Sequence, residues 1–399
     1  MSNLRTDMRF STAMNGLCIV LCGRIAGIVL VIFSVALLSA CASRPGPQSL
    51  EARAANVAGG KIVTLYLATS RERAGPGVNR YTDVPSETLN FAEYKVSIPP
   101  THKPGMIEYP GDRPDPRTAF TVVGSEVLDR ATFLSRIGSR GKGSRGDLGI
   151  FVHGFNTNLA EAVFRQAQLS ADAIDPEHDD VSILFAWPSS GSISGYLADK
   201  ATATASRDQL TELLGMAVKA RPTGEITLIA HSMGGWLTSE ALRQLKLTGQ
   251  QGVLDRLKVV LAAPDIDGIV FLAQMQKIGR MKKPMTILVS KDDLALSVSS
   301  FISLDQMRIG SIDINDPRVQ AGAKEVNIQF IDISSVKTDD TFKHNGFAAL
   351  AAIYPEMRKQ SDKGGDALRL SQAGVYVFDA VGRTLTAPFT LGRRLAAAQ

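Results

Sequence analysis

Short apolar runs of strand length recur through the middle of the chain. Most are followed by a stretch in which apolar residues return every three or four positions. Residues 225–245 show the pattern clearly. Ile226, Thr227, Leu228 and Ile229 make a strand-length run, and Leu237, Ala241 and Leu245 then line one face of a helix. The same alternation predicts strands at 147–152, 181–187, 257–262, 285–289 and 326–333, and helices at 160–172, 199–220, 271–281 and 346–359. Ahead of these, 61–68 and 93–99 read as strands, with 120–123 a weaker one, a proline-laden loop over 99–116 and a glycine-rich basic turn at 138–146. Continuous apolar strands separated by helices predict an α/β domain, with a mostly parallel central sheet and helices on both faces. In such sheets the active groups gather at the carboxyl ends of the strands. The apolar run 374–378 receives no role from the pattern, and no internal repeat occurs.

Composition and charge change this picture little. Of 399 residues, 44% are apolar and 21% charged, enough for one large domain with extensions and a substantial core. The formal net charge is +5; Arg5, Arg9 and Arg24 against Asp7 lie ahead of residue 41, so the rest of the chain is closer to balance. That bias is too small to indicate nucleic acid or a strongly anionic partner. The chain has no basic cluster with interleaved aromatics, no phosphate-cradling glycine loop and no Cys/His metal spacing. Neither a nucleic-acid partner, a metal nor an organic cofactor is expected.

Residues 25–40, IAGIVLVIFSVALLSA, are uncharged, follow those arginines and end in Leu38-Ser39-Ala40-Cys41. This order resembles a bacterial lipoprotein signal, which implies cleavage before Cys41 and lipidation of that residue. An uncleaved membrane anchor is the alternative, for which the run is short. Cys18 and Cys22 would leave with the signal, so Cys41 would be the sole cysteine and no intrachain disulfide could form. By the same resemblance, Ala42 in place of aspartate points to the outer membrane, facing the periplasm. The chain then divides into a signal peptide at 1–40, a flexible tether at 41–60, a folded domain at 61–360 and an extension of unassigned role at 361–399.

The candidate chemistry lies at the strand ends. Between the strand and helix of 225–245 stands Ala230-His231-Ser232-Met233-Gly234-Gly235, a serine between small residues at a strand-to-helix corner. Such a turn is too tight for large side chains two positions either side of the serine, and Ala230 replaces the first glycine of G-x-S-x-G. It would push the hydroxyl outward and aim the Met233 N–H and a helix N-terminus at the same point, where negative charge would develop. A serine hydroxyl needs a base, and the base needs a carboxylate to fix its tautomer. The chain has five histidines. His102 lies in the proline-rich loop, His178 in an acidic stretch, His153 reads as a loop brace, and His231 points away from its neighbour. His344 follows the last strand in the order Ser…Asp…His and is the candidate base. Asp293, in Ser290-Lys291-Asp292-Asp293, is the candidate acid, with Asp292, Asp265 and Asp267 as alternatives. A second oxyanion donor is expected from the Phe155 N–H, where Gly154 lets the chain bend after the strand at 147–152. Trp187-Pro188-Ser189-Ser190-Gly191 reads as pocket wall, and Tyr196 as a cleft or a core residue.

In this order, HGFN, FAWPSSG, AHSMGG, APDID, SKDDLAL and HNGF resemble the alpha/beta-hydrolase fold. More narrowly they resemble a family of bacterial alpha/beta hydrolases of unknown function. YLATSRER and YKVSIPPTHKPGMIEYP fit as well, so the resemblance runs from Ile62 to Leu350. It implies a triad of Ser232, Asp293 and His344 with Phe155 and Met233 as oxyanion donors. Together with the signal segment, these residues lead us to expect a serine hydrolase of the cell envelope acting on a small-molecule acyl substrate, a carboxylic ester in the first instance. The short segment ahead of Asp293 leaves little room for a lid and favours small or medium esters. A thioesterase or amidase with the same triad, and a catalytically silent binding protein on the same scaffold, are the alternatives. The resemblance delivers neither the physiological substrate nor the oligomeric state.

Overall fold

The computed structural model describes residues 44–53, 59–111, 114–139, 146–173, 181–296, 299, 308–336, 344–348, 374–378 and 384–385. The predicted signal segment, Cys41 and His178 lie outside these residues, as does the predicted helix at 346–359 beyond Ala348. The strands are β1 (Lys61–Arg73), β2 (Tyr81–Ile98), β3 (Thr121–Leu128), β4 (Leu148–Val152), β5 (Val181–Ala186), β6 (Ile226–His231), β7 (Leu257–Ala262), β8 (Met285–Val289), β9 (Ile328–Asp332), β10 (Gly374–Phe378) and β11 (Thr384–Leu385). The α-helices are α1 (Arg130–Gly138), α2 (Leu159–Ala173), α3 (Tyr196–Ala205), α4 (Arg207–Ala220), α5 (Met233–Leu247), α6 (Gln251–Leu254), α7 (Gly268–Ile278) and α8 (Pro317–Glu325). Among the described residues none of these helices is long and apolar enough to cross a membrane.

All the strands join one sheet in the order β11-β10-β9-β8-β7-β6-β4-β5-β1-β2-β3. From β1 to β10 in that row, neighbours pair parallel. Only β2, β3 and β11 add antiparallel pairs at the two edges. Parallel strands carry apolar residues on both faces because helices cover both. On β6, Ile226, Leu228 and Ala230 join one core with Leu214 of α4 and Leu237 and Leu245 of α5. Ile229 faces the other way, into a core with Ala160, Phe164 and Ala167 of α2. Each leucine, isoleucine or phenylalanine side chain among them taken fully out of water stabilises the fold by about 1.5–3 kcal/mol.

The strand order fixes where a site can form. The chain leaves β4 for β5 on one side, then returns for β6 on the other. The loops after β4 and β6 therefore part in opposite directions and open a crevice at the carboxyl edge, the usual ligand position in such sheets.

Several elements differ from expectation for identifiable reasons. The sheet's antiparallel edge is much longer than the predicted 61–68 and 93–99, because β1 and β2 continue as a bulged hairpin. Its outer half is exposed and carries Asp83, Pro85 and Glu87, so no apolar alternation announces it. The single helix predicted at 199–220 is two. At Ser206 the hydroxyl bonds back to the Thr202 carbonyl and receives a bond from Ser70, and the helix ends there. The helix predicted at 271–281 starts at Gly268, because Asp267 caps it by accepting from the Ile269 and Val270 N–H groups. The run at 374–378 is a strand, paired parallel to β9, so the sheet extends into the segment set apart as 361–399. Part of the predicted flexible tether is also docked. Pro47–Leu50 forms a 3-10 helix with Leu50 buried, and the Arg53 N–H donates to the Val122 carbonyl.

Candidate active site

Ser232 stands between β6 and α5 with φ 53°, ψ −122°, a left-handed conformation that costs an L-residue energy and is kept only where its surroundings over-determine it. Those surroundings are specific. The Ser232 N–H donates 2.9 Å to the Ala262 carbonyl on β7, and the Ser232 carbonyl accepts from Gly235 at 2.8 Å and Asp265 at 3.2 Å. Gly234 lies against the end of β4: a Cβ there would overlap the His153 carbonyl oxygen and sit 2.7 Å from that of Val152. Gly154, across the crevice, is as constrained, since its Cβ would lie 3.0 Å from both His231 Nδ1 and Ser232 Cβ. Sequence spacing therefore reflects steric contact: small residues occur where the β4 and β6 loops touch.

His344 follows β9 and lies over the same crevice. Its Nδ1 is 2.6 Å from Asp293 Oδ2, and Asp293 is 1% exposed. The other carboxylate oxygen accepts from the Leu296 N–H at 3.0 Å. A carboxylate can only accept, so His344 donates from Nδ1, and the neutral ring has its lone pair on Nε2. The other aspartates are occupied differently. Asp265 accepts from Tyr196 Oη at 2.9 Å and Ser299 Oγ at 2.8 Å and pairs with buried Arg308 at 3.2 Å. Asp267 caps α7, and Asp292 is exposed.

The other histidines among the described residues are held by structural contacts. His231 donates from Nε2 to the His344 carbonyl at 3.2 Å, and its ring packs 4.5 Å from both the His344 ring and Phe347. Burial first, then the nearby His344 ring, hold its pKa well below the ordinary histidine range. His153 stacks on Trp187 at 5.0 Å, and the Trp187 indole donates 2.8 Å to the His153 carbonyl. Burial, then the charge of Arg71, push its pKa down to about 3. His102 lies elsewhere, between Glu108 and Asp172.

A cavity of ≈ 370 Å³ unites these groups: Ser232, His344, Phe155, Tyr196, Asp265 and His231 all line it. Phe155 packs edge-on to Tyr196 at 5.3 Å. Met233, the first residue of α5, is buried. The wall after β5 is braced from outside. Asp199 accepts from Ser189 Oγ at 2.6 Å and the Ser190 N–H at 2.9 Å, and Arg71 donates 2.8 Å to the Ser189 carbonyl. Arg71 belongs to YLATSRER, so that stretch supports the cavity wall. The Tyr196–Asp265–Ser299–Arg308 cluster escaped the sequence reading. Tyr196 and Asp265 each gave a signal there, but not as partners, and Arg308 follows no recognisable motif.

The sheet order, the strand–serine–helix corner and the carboxyl-edge crevice define an alpha/beta hydrolase. The chain belongs to the family described as alpha/beta hydrolase of unknown function (DUF900), which it matches over residues 131–360. It is 24% identical over 201 residues to the uncharacterized protein alr1448 of Nostoc sp., covering 45% of this chain and 50% of that one. The chain thus spans about half the length of that curated relative. Among solved structures it is similar to a cutinase-like protein from Cryptococcus sp., at 14% identity and TM-score 0.29, covering 57% of this chain and 100% of that one. It is also similar to the peroxisomal alpha-beta-hydrolase Lpx1 of Saccharomyces cerevisiae, at 13% and 0.24, covering 53% and 46% of the two chains. A lipase-esterase related protein from Clostridium acetobutylicum gives 17% and 0.24, covering 54% and 85%. Likeness at these scores carries nothing about activity.

Proposed function

We propose that the chain is a serine hydrolase of the bacterial cell envelope, held by a lipid on Cys41, that cleaves small or medium carboxylic esters through an acyl-enzyme. One observation carries this reading: His344 Nδ1 lies 2.6 Å from a buried Asp293 carboxylate, over a cavity that Ser232 also lines. In this scheme His344 Nε2 takes the Ser232 proton as Oγ bonds to the acyl carbon, and the carbonyl electron pair moves to oxygen. The Met233 and Phe155 N–H groups hold that oxyanion, and the α5 N-terminus adds its dipole. The C–O bond to the alcohol then breaks, and His344 gives the proton to the departing oxygen. Water repeats the sequence: its proton goes to His344, its oxygen to the acyl carbon, and the acid leaves as Ser232 recovers its hydrogen. Asp293 stays ionised and stabilises the imidazolium.

A fluorophosphonate probe should label the native protein at Ser232 and leave Ser232→Ala unlabelled. Native protein that resists the probe would instead fit a silent binding scaffold. A panel of matched ester, thioester and amide substrates should show esters turned over fastest, and a thioester or amide preference would revise the substrate class. Incorporation of radiolabelled lipid should vanish in Cys41→Ser, and its persistence would remove the anchor.

A further inference from the structure

We propose that the face carrying the cleft rests on the bilayer that holds the Cys41 lipid, and that the hydrolysed ester is drawn from that bilayer. This rests on the envelope serine-hydrolase reading above. It is carried by where the N-terminal segment meets the domain and by what surrounds the cleft there. Asn158 starts α2 by exchanging bonds with Glu161, accepting from its N–H at 3.0 Å and donating its own N–H to Oε2 at 2.9 Å. The Asn158 amide also donates 3.1 Å to the Pro45 carbonyl. Only Ala42, Ser43 and Arg44 separate Pro45 from Cys41. Four residue-to-residue steps span at most about 14 Å, so a lipid on Cys41 cannot carry the bilayer far from Asn158.

Asn158 lies at the cleft. Thr157 and Glu161 on either side of it line the cavity. Gly191 packs against it closely enough that a Cβ there would be 3.2 Å from Asn158 Cβ. Two residues on, Ile193 lines the cavity with 70% of its surface exposed. Leu197 at 69% is the next residue after cavity-lining Tyr196, Leu294 at 51% precedes cavity-lining Ala295, and Tyr109 is itself both exposed and lining. Single exposed apolar residues are ordinary, but several around one opening mark a surface that meets something apolar. The short leash names the occupant: a lipid surface already within reach of the cleft. An ester with its acyl chain in that surface could enter the cleft without crossing water.

The test uses the full lipidated chain in vesicles of phosphatidylethanolamine and phosphatidylglycerol, with a polarity-sensitive dye on Leu197→Cys or on Leu247→Cys. Leu247 is also exposed but ends α5, a 15-residue helix that starts at the elbow. At about 1.5 Å per residue it lies roughly 20 Å from the cleft. Quenching by doxyl-labelled lipid at 197 and its absence at 247 is the expected result. No quenching at 197 in vesicle-bound protein overturns the proposal, and is also what a protein partner for this surface would give. Protein that fails to float with vesicles overturns it through the anchor, while probe labelling of Ser232 still reports the hydrolase reading separately. In a second arm, Leu197→Ser/Leu294→Ser should lose about 5–10-fold on a vesicle-embedded medium-chain ester and keep its rate on a soluble acetate ester, a selective loss of about 1 kcal/mol in favourable contact. Equal changes on both substrates, or none on either, would overturn the claim.

Discussion

Among the described residues His344 meets one carboxylate and His102 two, and that difference separates the roles the proposed mechanism gives them. Asp293 holds His344 at Nδ1, 2.6 Å away, which is what a base needs to keep its other nitrogen for a proton. His102 has Glu108 Oε2 at 2.8 Å from Nδ1 and Asp172 Oδ1 at 2.9 Å from Nε2. Two acceptors on one ring require a hydrogen on each nitrogen, so His102 sits there as imidazolium with no lone pair for chemistry. Its task is mechanical. Asp172 lies in the last turn of α2, at the helix's negative end, where a cation is favourable. His102, from the loop after β2, supplies that cation and ties the loop carrying Tyr109 to the helix. In the proposed mechanism His344 is held so that it can exchange a proton, whereas His102 is held so that it keeps both.

The largest effect should come from Asp293→Asn. An amide in that place favours the wrong imidazole tautomer, and kcat should fall about 10⁴-fold while the melting temperature barely moves. His102→Gln should do the reverse, leaving kcat within a few-fold. Steady-state kinetics and a thermal melt on both variants check the contrast. Activity retained in Asp293→Asn and lost in Asp292→Asn would move the acid one residue and break the comparison on its catalytic side.

Much of this was legible in the sequence where local sterics and pattern agree. The corner at Ser232 could be read because backbone contact at Gly234 and Gly154 permits so few residues. The parallel strands were legible because burial on both faces leaves unbroken apolar runs. The Asp293–His344 contact was only a ranked choice, because nothing local distinguishes Asp293 from Asp292; exposure decides it, and exposure is tertiary. Asp267 stays among the alternatives for the converse reason, since a strand-end aspartate and a helix cap look alike until the helix is seen to start at Gly268. α1 and α8 have caps at Asp129 and Asp316 but are short and bury few apolar residues, so hydrophobic pattern alone does not reveal them. β10 was visible as an apolar run without an assignable place, because pairing partners are set by topology.

Next in size is the stability side of His102→Gln. Two hydrogen bonds to carboxylates, partly exposed on the Glu108 side, should be worth about 2 kcal/mol together, or a fall of several degrees in the melting temperature. A smaller effect is expected at His231. His231→Phe keeps a ring between His344 and Phe347 but removes the donor to the His344 carbonyl. A loss of about 1 kcal/mol in positioning corresponds to roughly a five-fold fall in kcat, with probe labelling retained. A hundred-fold fall would mean that His231 takes part in the chemistry itself.

The pH dependence of stability gives the finest test of the two histidines. At His102 burial favours the neutral ring, but the bonds to Asp172 and Glu108 and their charges outweigh it, and its pKa is raised above the ordinary value. A group whose native pKa is raised binds its proton more tightly folded than unfolded. Its contribution is complete below the unfolded value of about 6.5 and fades as pH climbs through the higher native one. Lys61, which donates to the Ala171 carbonyl beside Asp172, has its pKa lowered by burial against the raising effect of that carboxylate. Titration of Lys61 therefore belongs to the more alkaline end of the same curve. The native protein should thus lose stability relative to His102→Gln as pH rises from 6 to 9, and the two melting curves should converge. Curves that stay parallel across that window would mean the ring is not held as imidazolium. The contrast with His344 would then rest on position alone.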